Sequence, residues 1–222
     1  MQHRLLDEND RVAANSRFWL GERGIVALNV MGAPGAGKTQ LLERTVRELG
    51  PSVPVSVLEG DQQTDRDAQR IRAAGAPVTQ LTTGSGCHLN ATMVANGLRD
   101  LEPREGSLLF VENVGNLVCP ALFDIGEAVR VVVMSVTEGD DKPLKYPHIF
   151  RTADVLVLNK SDLLEHVPFD VERCLTEARR VAPPLRTFEL SALTGDGMQP
   201  WLDWLQSLVR APRQSTATRT RP

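Results

Sequence analysis

The residues with the clearest chemistry are Gly32-Ala33-Pro34-Gly35-Ala36-Gly37-Lys38-Thr39, which fit G-x-x-x-x-G-K-[ST], the phosphate-binding P-loop. Glycines let the backbone curl around a phosphate, so that the N–H groups of Gly35, Ala36, Gly37 and the residues up to Gln40 can point at the anion where a helix begins. The motif places Lys38 to reach the β- and γ-phosphates and Thr39 to offer its hydroxyl to Mg²⁺.

A second set of residues could read a base. Asn159-Lys160-Ser161-Asp162 is an N-K-x-D box directly after an apolar run. A carboxylate at Asp162 can accept from both N1–H and the 2-amino group of guanine. Adenine offers neither donor, and leaving that carboxylate unpaired is costly, so the box selects GTP and GDP. The Lys160 stem can cover the base face. Ser191-Ala192-Leu193 resembles the second guanine loop of GTPases, where a backbone N–H meets the guanine oxygen. An isolated N-K-x-D is weak evidence, but P-loop, box and S-A-L in this order, each after a strand, are strong evidence. An ATP-using kinase on the same P-loop is disfavoured by the box.

Magnesium takes hard oxygen ligands. Thr39 supplies one, and Asp61 and Glu112, at the ends of apolar runs, are the candidate acids. Small GTPases carry D-x-x-G where this chain has Glu112-x-x-Gly115, and Gly115 could bring its backbone close to the γ-phosphate. Asp67 is a candidate for orienting the attacking water. Asp65 and Asp67 also suit a helix start, where acids are favoured by the dipole. Lys38, Asp61, Asp67 and Glu112 thus form the expected catalytic set. No internal arginine finger stands out, so turnover on the order of 10⁻⁴ to 10⁻² s⁻¹ is expected.

Cys87-His88 and Cys119 remain. Thiolate and imidazole suit Ni²⁺ and Zn²⁺. Three ligands fall short of a closed tetrahedral site, which a dimer could complete. Free cysteines also serve as small core residues, and spacing alone leaves both readings open. Cys174 lies in a plain amphipathic stretch and reads as core. His3, His148 and His166 have no partner pattern.

Strands are expected over 25–31, 53–58, 78–82, 107–111, 129–136, 154–158 and 186–190. Helices are expected over 40–49, 65–71, 87–101, 171–181 and 197–209, with a further helix before residue 23. Strand and helix alternate, so the expected fold is α/β, a P-loop NTPase with a mostly parallel sheet covered by helices on both faces. The organisation read from this is an N-terminal helical extension over 1–23, a GTPase domain over 24–210 and a disordered tail over 211–222. With 25 basic and 28 acidic residues and a net charge of −3, no basic footprint argues for nucleic acid. No apolar run approaches membrane-spanning length and nothing resembles a signal peptide, so a cytoplasmic protein is expected. Three cysteines give no disulfide framework.

Seven runs carry a family resemblance: Gly32 to Thr39, Glu59-Gly60-Asp61, Asp67-Ala68-Gln69-Arg70, Gly86-Cys87-His88-Leu89, Glu112 to Pro120, Glu138 to Lys142 and Asn159 to Asp162. Together they resemble the hydrogenase nickel-incorporation GTPases, the HypB family, over about residues 9 to 210. The Cys-His and E-N-V-G-N-L-x-C-P segments are the most specific. The urease accessory GTPases, with a Cys-Pro-His motif after a different acidic segment, fit less well. The resemblance implies a GTPase that forms a GTP-dependent homodimer and helps deliver nickel to [NiFe]-hydrogenase. It places an interface Ni²⁺ or Zn²⁺ on Cys87, His88 and Cys119. Met1-Gln2-His3-Arg4 has neither a cysteine-rich nor a histidine-rich tract, so nickel handling would depend on a partner chaperone, with the hydrogenase large subunit as recipient. The rival reading is a GTPase switch that binds a protein client while its cysteines stay buried.

Overall fold

A computed structural model describes residues 2–61, 64–84 and 86–210. The expected tail over 211–222 lies outside the described residues.

Helix α1 (Gln2–Glu22) leads into β1 (Val26–Met31), followed by α2 (Lys38–Leu49), β2 (Val55–Asp61), α3 (Arg66–Ala74), β3 (Val78–Thr82), α4 (Ala91–Leu101) and β4 (Leu108–Glu112). The second half runs β5 (Val129–Ser135), α5 (Lys142–Lys145), α6 (Pro147–Thr152), β6 (Val155–Asn159), α7 (Val171–Val181), β7 (Arg186–Glu189) and α8 (Met198–Arg210). The strands form one seven-stranded sheet in the order β3-β2-β4-β1-β5-β6-β7. Every pairing is parallel, so the sheet is more uniform than expected. Its central strands β2, β4, β1, β5 and β6 are buried on both faces, as parallel sheets require, while the edge strands β3 and β7 are partly exposed.

The P-loop leaves β1 at the centre of the sheet, between β4 and β5. Connections diverge there and open a crevice at the strands' carboxyl ends, the usual ligand position in such sheets. Three apolar clusters build the layers. One packs α2 and α8 on the sheet, with Trp201 fully buried and its indole N–H donating to Thr45 Oγ1 at 3.0 Å. A second packs α6 and α7 on β5 and β6 and takes in Cys174. A third joins Leu20 of α1 to α4, β2 and β4. The aromatic stripe of α8 is core as expected, with Trp204 and Leu208 partly buried.

Three local details differ from the sequence reading. Cys87 and His88 do not open α4. Asn90 caps that helix, accepting from the Met93 N–H at 3.0 Å, which leaves the Cys-His pair in the loop before it. Glu59 and Gly60 lie within β2 rather than beyond it. The short α5 and α6 escape a reading by periodicity, because each is too short for a helical period to register. Among the described residues, no helix is long and apolar enough to cross a membrane.

Candidate nucleotide and metal site

A cleft of about 520 Å³ opens at the carboxyl edge of the sheet. The P-loop forms its floor. Gly37 has φ 92 and caps α2, in the left-handed region that glycine enters freely. Lys38 is buried and folds back, its Nζ 3.4 Å from the carbonyl oxygens of Gly32 and Ala33. Thr39 Oγ1 donates to Glu112 Oε1 at 2.8 Å, and the second oxygen of Glu112 is buried without a partner among the described residues.

Glu59 is the residue that sequence reasoning misses. It is the register partner of Glu112 on the adjacent strand, it is buried, and its Oε2 also lacks a partner among the described residues. Burial, then the neighbouring Glu112, Asp61 and Asp67, push its carboxyl up to about 8. Burial pushes Glu112 up to about 7. Two adjacent carboxyls short of partners beside a P-loop lysine form a cation-shaped deficit. Their hard oxygens, with Thr39 and Asp61, suit Mg²⁺. The E-G-D triplet held the signal. Its glycine is required because a Cβ on Gly60 would lie 2.8 Å from Leu89 Cδ1 and 2.9 Å from the Glu112 carbonyl.

Asp61 reaches the cleft and accepts from Thr64 Oγ1 at 2.6 Å and from the Thr64 N–H at 3.2 Å. Asp67 also lines the cleft, paired with Arg70 at 3.2 Å. Arg70 pairs in turn with Glu43 at 2.8 Å and lines the cleft itself. A guanidinium therefore lines the cleft that the P-loop floors.

The base-side loops meet at Asn159. Its Nδ2 donates to the Ala36 carbonyl at 3.0 Å, while its Oδ1 accepts from the Lys160 N–H at 2.8 Å and the Ala192 N–H at 3.0 Å. One amide thus staples the P-loop, the N-K-x-D box and the S-A-L loop together. Lys160, left-handed at φ 63, reaches over to the Gly35 carbonyl at 2.7 Å. Asp162 holds a buried Oδ1 with no partner among the described residues. Ser191 Oγ accepts from the Thr194 N–H at 3.1 Å, and Arg44 donates to the exposed Leu193's carbonyl at 3.1 Å. Gln40 sits at the cleft wall.

Cys87, His88 and Cys119 converge although they come from different loops: one ligand atom from each lies within 4.8 Å of the others. Cys87 Sγ is 3.6 Å from His88 Nδ1. The Cys119 thiol, by hydrogen bonding, raises the Cys87 thiol's pKa above its usual value, whereas desolvation lowers that of His88. The His88 ring stacks on Phe123, with centroids 4.0 Å apart and planes at 19°. All three residues are half-buried, so the cluster is open on one side. Metal–sulfur and metal–nitrogen bonds of about 2.0–2.3 Å fit within this spacing. Cys87 also lines the nucleotide cleft, so the two sites share a wall. Cys174 lies elsewhere, fully buried, its thiol pushed by burial up to about 12.

A central P-loop in an all-parallel sheet, with its strand-end acids, defines a P-loop NTPase. The chain belongs to the CobW/HypB/UreG family, whose nucleotide-binding domain matches residues 26–189. It is 54% identical over 202 residues to the hydrogenase maturation factor HypB of Azotobacter vinelandii, covering 91% of this chain and 67% of that protein. The chain thus spans about two thirds of that relative's length. The crystal structure of HypB from Archaeoglobus fulgidus superposes with a TM-score of 0.86 at 43% identity, covering 92% of this chain and 100% of that one. HypB from Helicobacter pylori in complex with nickel has a TM-score of 0.86 at 37% identity, over 95% of this chain and 99% of that one.

Proposed function

We propose that this protein is a metal-binding GTPase that couples GTP binding, hydrolysis and homodimerisation to nickel delivery during [NiFe]-hydrogenase maturation. The observation that carries the proposal is the shared wall: Cys87 lines the nucleotide cleft while meeting His88 and Cys119 in the metal cluster. The nickel-bound relative supports nickel as the cargo, and Zn²⁺ suits the same donors.

Asp162 Oδ1, which no described residue partners, suits guanine, because this buried oxygen is left short of the donors that N1–H and the 2-amino group provide. Gly35, Ala36, Gly37 and Gln40 present their N–H groups to the phosphates, and the Lys38 ammonium exchanges two P-loop carbonyls for phosphate oxygens. Thr39, Asp61 and Glu112 would hold Mg²⁺, with Glu59 beside them. When bound, Mg²⁺ neutralises charge on the β- and γ-phosphate oxygens. Asp67 accepts a hydrogen bond from the water that attacks the γ-phosphorus, orienting its lone pair. The bond to the β–γ bridging oxygen breaks, leaving GDP and phosphate. Slow turnover suits a switch more than a metabolic enzyme. The half-exposed metal trio leaves room for ligands from a second copy, and handover to a chaperone or the hydrogenase large subunit follows its opening.

The test is nickel stoichiometry and molar mass in solution, measured together with GDP and with a slowly hydrolysed GTP analogue. A dimer with altered nickel binding in the analogue supports the proposal. A Cys119→Ser protein with full nickel affinity and full nucleotide response sinks the coupling. Asp162→Asn tests the base reading: it replaces an acceptor with a donor and should move preference from GTP to XTP, whose C2 carries a carbonyl.

A further inference from the structure

The nucleotide and metal sites are joined through a residue outside both. Asn116 follows Glu112-x-x-Gly115. Its backbone N–H donates to the Gly32 carbonyl at 3.0 Å, forming an isolated antiparallel bridge with the first residue of the P-loop. Its side chain faces the other way. Asn116 Nδ2 donates to the Cys87 carbonyl at 3.3 Å, and Oδ1 accepts from the Val118 N–H, the residue before Cys119, at 2.8 Å. One residue therefore holds the P-loop with its main chain and both metal-bearing segments with its amide.

The neighbours hold this link at both ends and leave the span between them less constrained. Gly115 packs so closely on the P-loop that a Cβ there would lie 2.9 Å from Pro34 Cγ. Beyond Cys119, the segment is gripped by buried Arg130, which donates to the carbonyls of Ala121 at 3.2 Å and Phe123 at 3.1 Å. Between those anchors, Val118 is exposed and Cys119 half-buried. A displacement of the Glu112–Gly115 segment on nucleotide exchange must carry Asn116 with it, and the span left to absorb the motion is the one bearing Cys119.

We propose that Asn116 is the positioning residue that couples the two sites: its side-chain amide sets the spacing of Cys87 and Cys119 according to the state of the P-loop, and so makes metal affinity depend on the bound nucleotide. This rests on the nucleotide–metal coupling proposed above and names the residue that carries it. Each link is a directional hydrogen bond with a defined geometry, and coupling of this kind is worth about 5- to 150-fold in affinity in typical two-site proteins.

The experiment uses the full chain, with Asn116→Ala and Asn116→Asp beside the unmutated protein. The alanine removes both side-chain bonds. The aspartate keeps the acceptor for Val118 and loses the donor to Cys87. Nickel affinity is measured by competition with a chromophoric chelator, with GDP and with a slowly hydrolysed GTP analogue, and nucleotide affinity is measured separately. The unmutated protein is expected to differ at least about 5-fold in nickel affinity between the two nucleotides. Both variants should bring that ratio to within about 2-fold, with nucleotide affinity preserved because the main-chain bridge remains. A ratio kept intact in both variants overturns the assignment. So does loss of nickel binding in every nucleotide state by both folded variants, which would make Asn116 a scaffold of the metal site only. Should the unmutated protein itself show no difference, the coupling reading fails before Asn116 is at issue.

Discussion

Glu59 and Glu112 stand side by side on β2 and β4 as register partners, both buried, each with one carboxylate oxygen that no described residue satisfies. Such a pair is destabilising when both members are charged. Their carboxyls lie above the ordinary value of 4.5, at about 8 and about 7, so the folded state binds more protons than the unfolded chain between those limits. Stability therefore falls as pH rises from about 4.5 through 8. Nucleotide- and metal-free protein should be less stable at pH 8.5 than at pH 6 by at least about 1.4 kcal/mol, a roughly tenfold change in the unfolding equilibrium. Urea unfolding across that range reads this directly, and Glu59→Gln should flatten the slope. A slope of opposite sign would mean that other groups set the pH response.

Asn159 reads from sequence as a nucleotide contact, and its bonds make it a staple between three loops. Asn159→Ala removes the partner of the Lys160 N–H and leaves two buried groups, the Ala36 carbonyl and the Ala192 N–H, unpaired at about 1–3 kcal/mol each. Denaturant unfolding should report a loss of about 2–6 kcal/mol, accompanied by weaker GDP binding. A stability change below about 0.5 kcal/mol would mean that water takes over both bonds.

Arg70 pairs with Glu43 and Asp67 at the cleft. Arg70→Ala is expected to lower kcat for GTP by about 10- to 100-fold, with KM changed less, if the guanidinium lining the cleft acts on the charge that develops in the proposed hydrolysis. Steady-state kinetics separates the two parameters. An unchanged kcat would make Arg70 a tether for α3.

Thiol labelling distinguishes the three cysteines. Cys87 and Cys119 are half-buried, whereas Cys174 is fully buried and its thiol is pushed up to about 12. A chromogenic disulfide reagent should titrate two thiols in native, metal-free protein and the third only after unfolding. Ni²⁺ or Zn²⁺ should protect the first two. A single fast thiol would speak for cysteines that serve the core.

Much of this is legible in the chain. The P-loop stands out because its spacing is fixed by phosphate geometry and its flanks are a strand and a helix. Cys87, His88 and Cys119 can be named from sequence as candidate ligands, but only the fold brings the loops after β3 and β4 to within 4.8 Å. Arg70 stands in the Asp67-to-Arg70 run, but its place in the cleft is hidden because an arginine on a polar helix reads as a solvated face. Glu59 is hidden because an acid in an apolar run is most easily placed at its end, not buried beside an acid of the neighbouring strand. Helical periodicity starts α4 too early, although Asn90, a strong cap, is in view.

Helix α1 is fastened late in the chain's own order. Asn9 accepts from the Ala91 N–H at 3.0 Å and donates to the Asp124 carbonyl at 2.8 Å, while Arg17 forks onto the Asp124 carboxylate at 2.5 and 2.6 Å. The Asn9 and Asp124 ends of this clasp are separated by 115 residues. On a ribosome adding about 5–20 residues per second, α1 waits roughly 6–23 s after Asn9 is made for Asp124 to follow. Throughout that interval Trp19 and Leu20 have no completed core to enter, so they offer a nascent-chain chaperone an apolar surface that is withdrawn only once the Asp124 segment has been made.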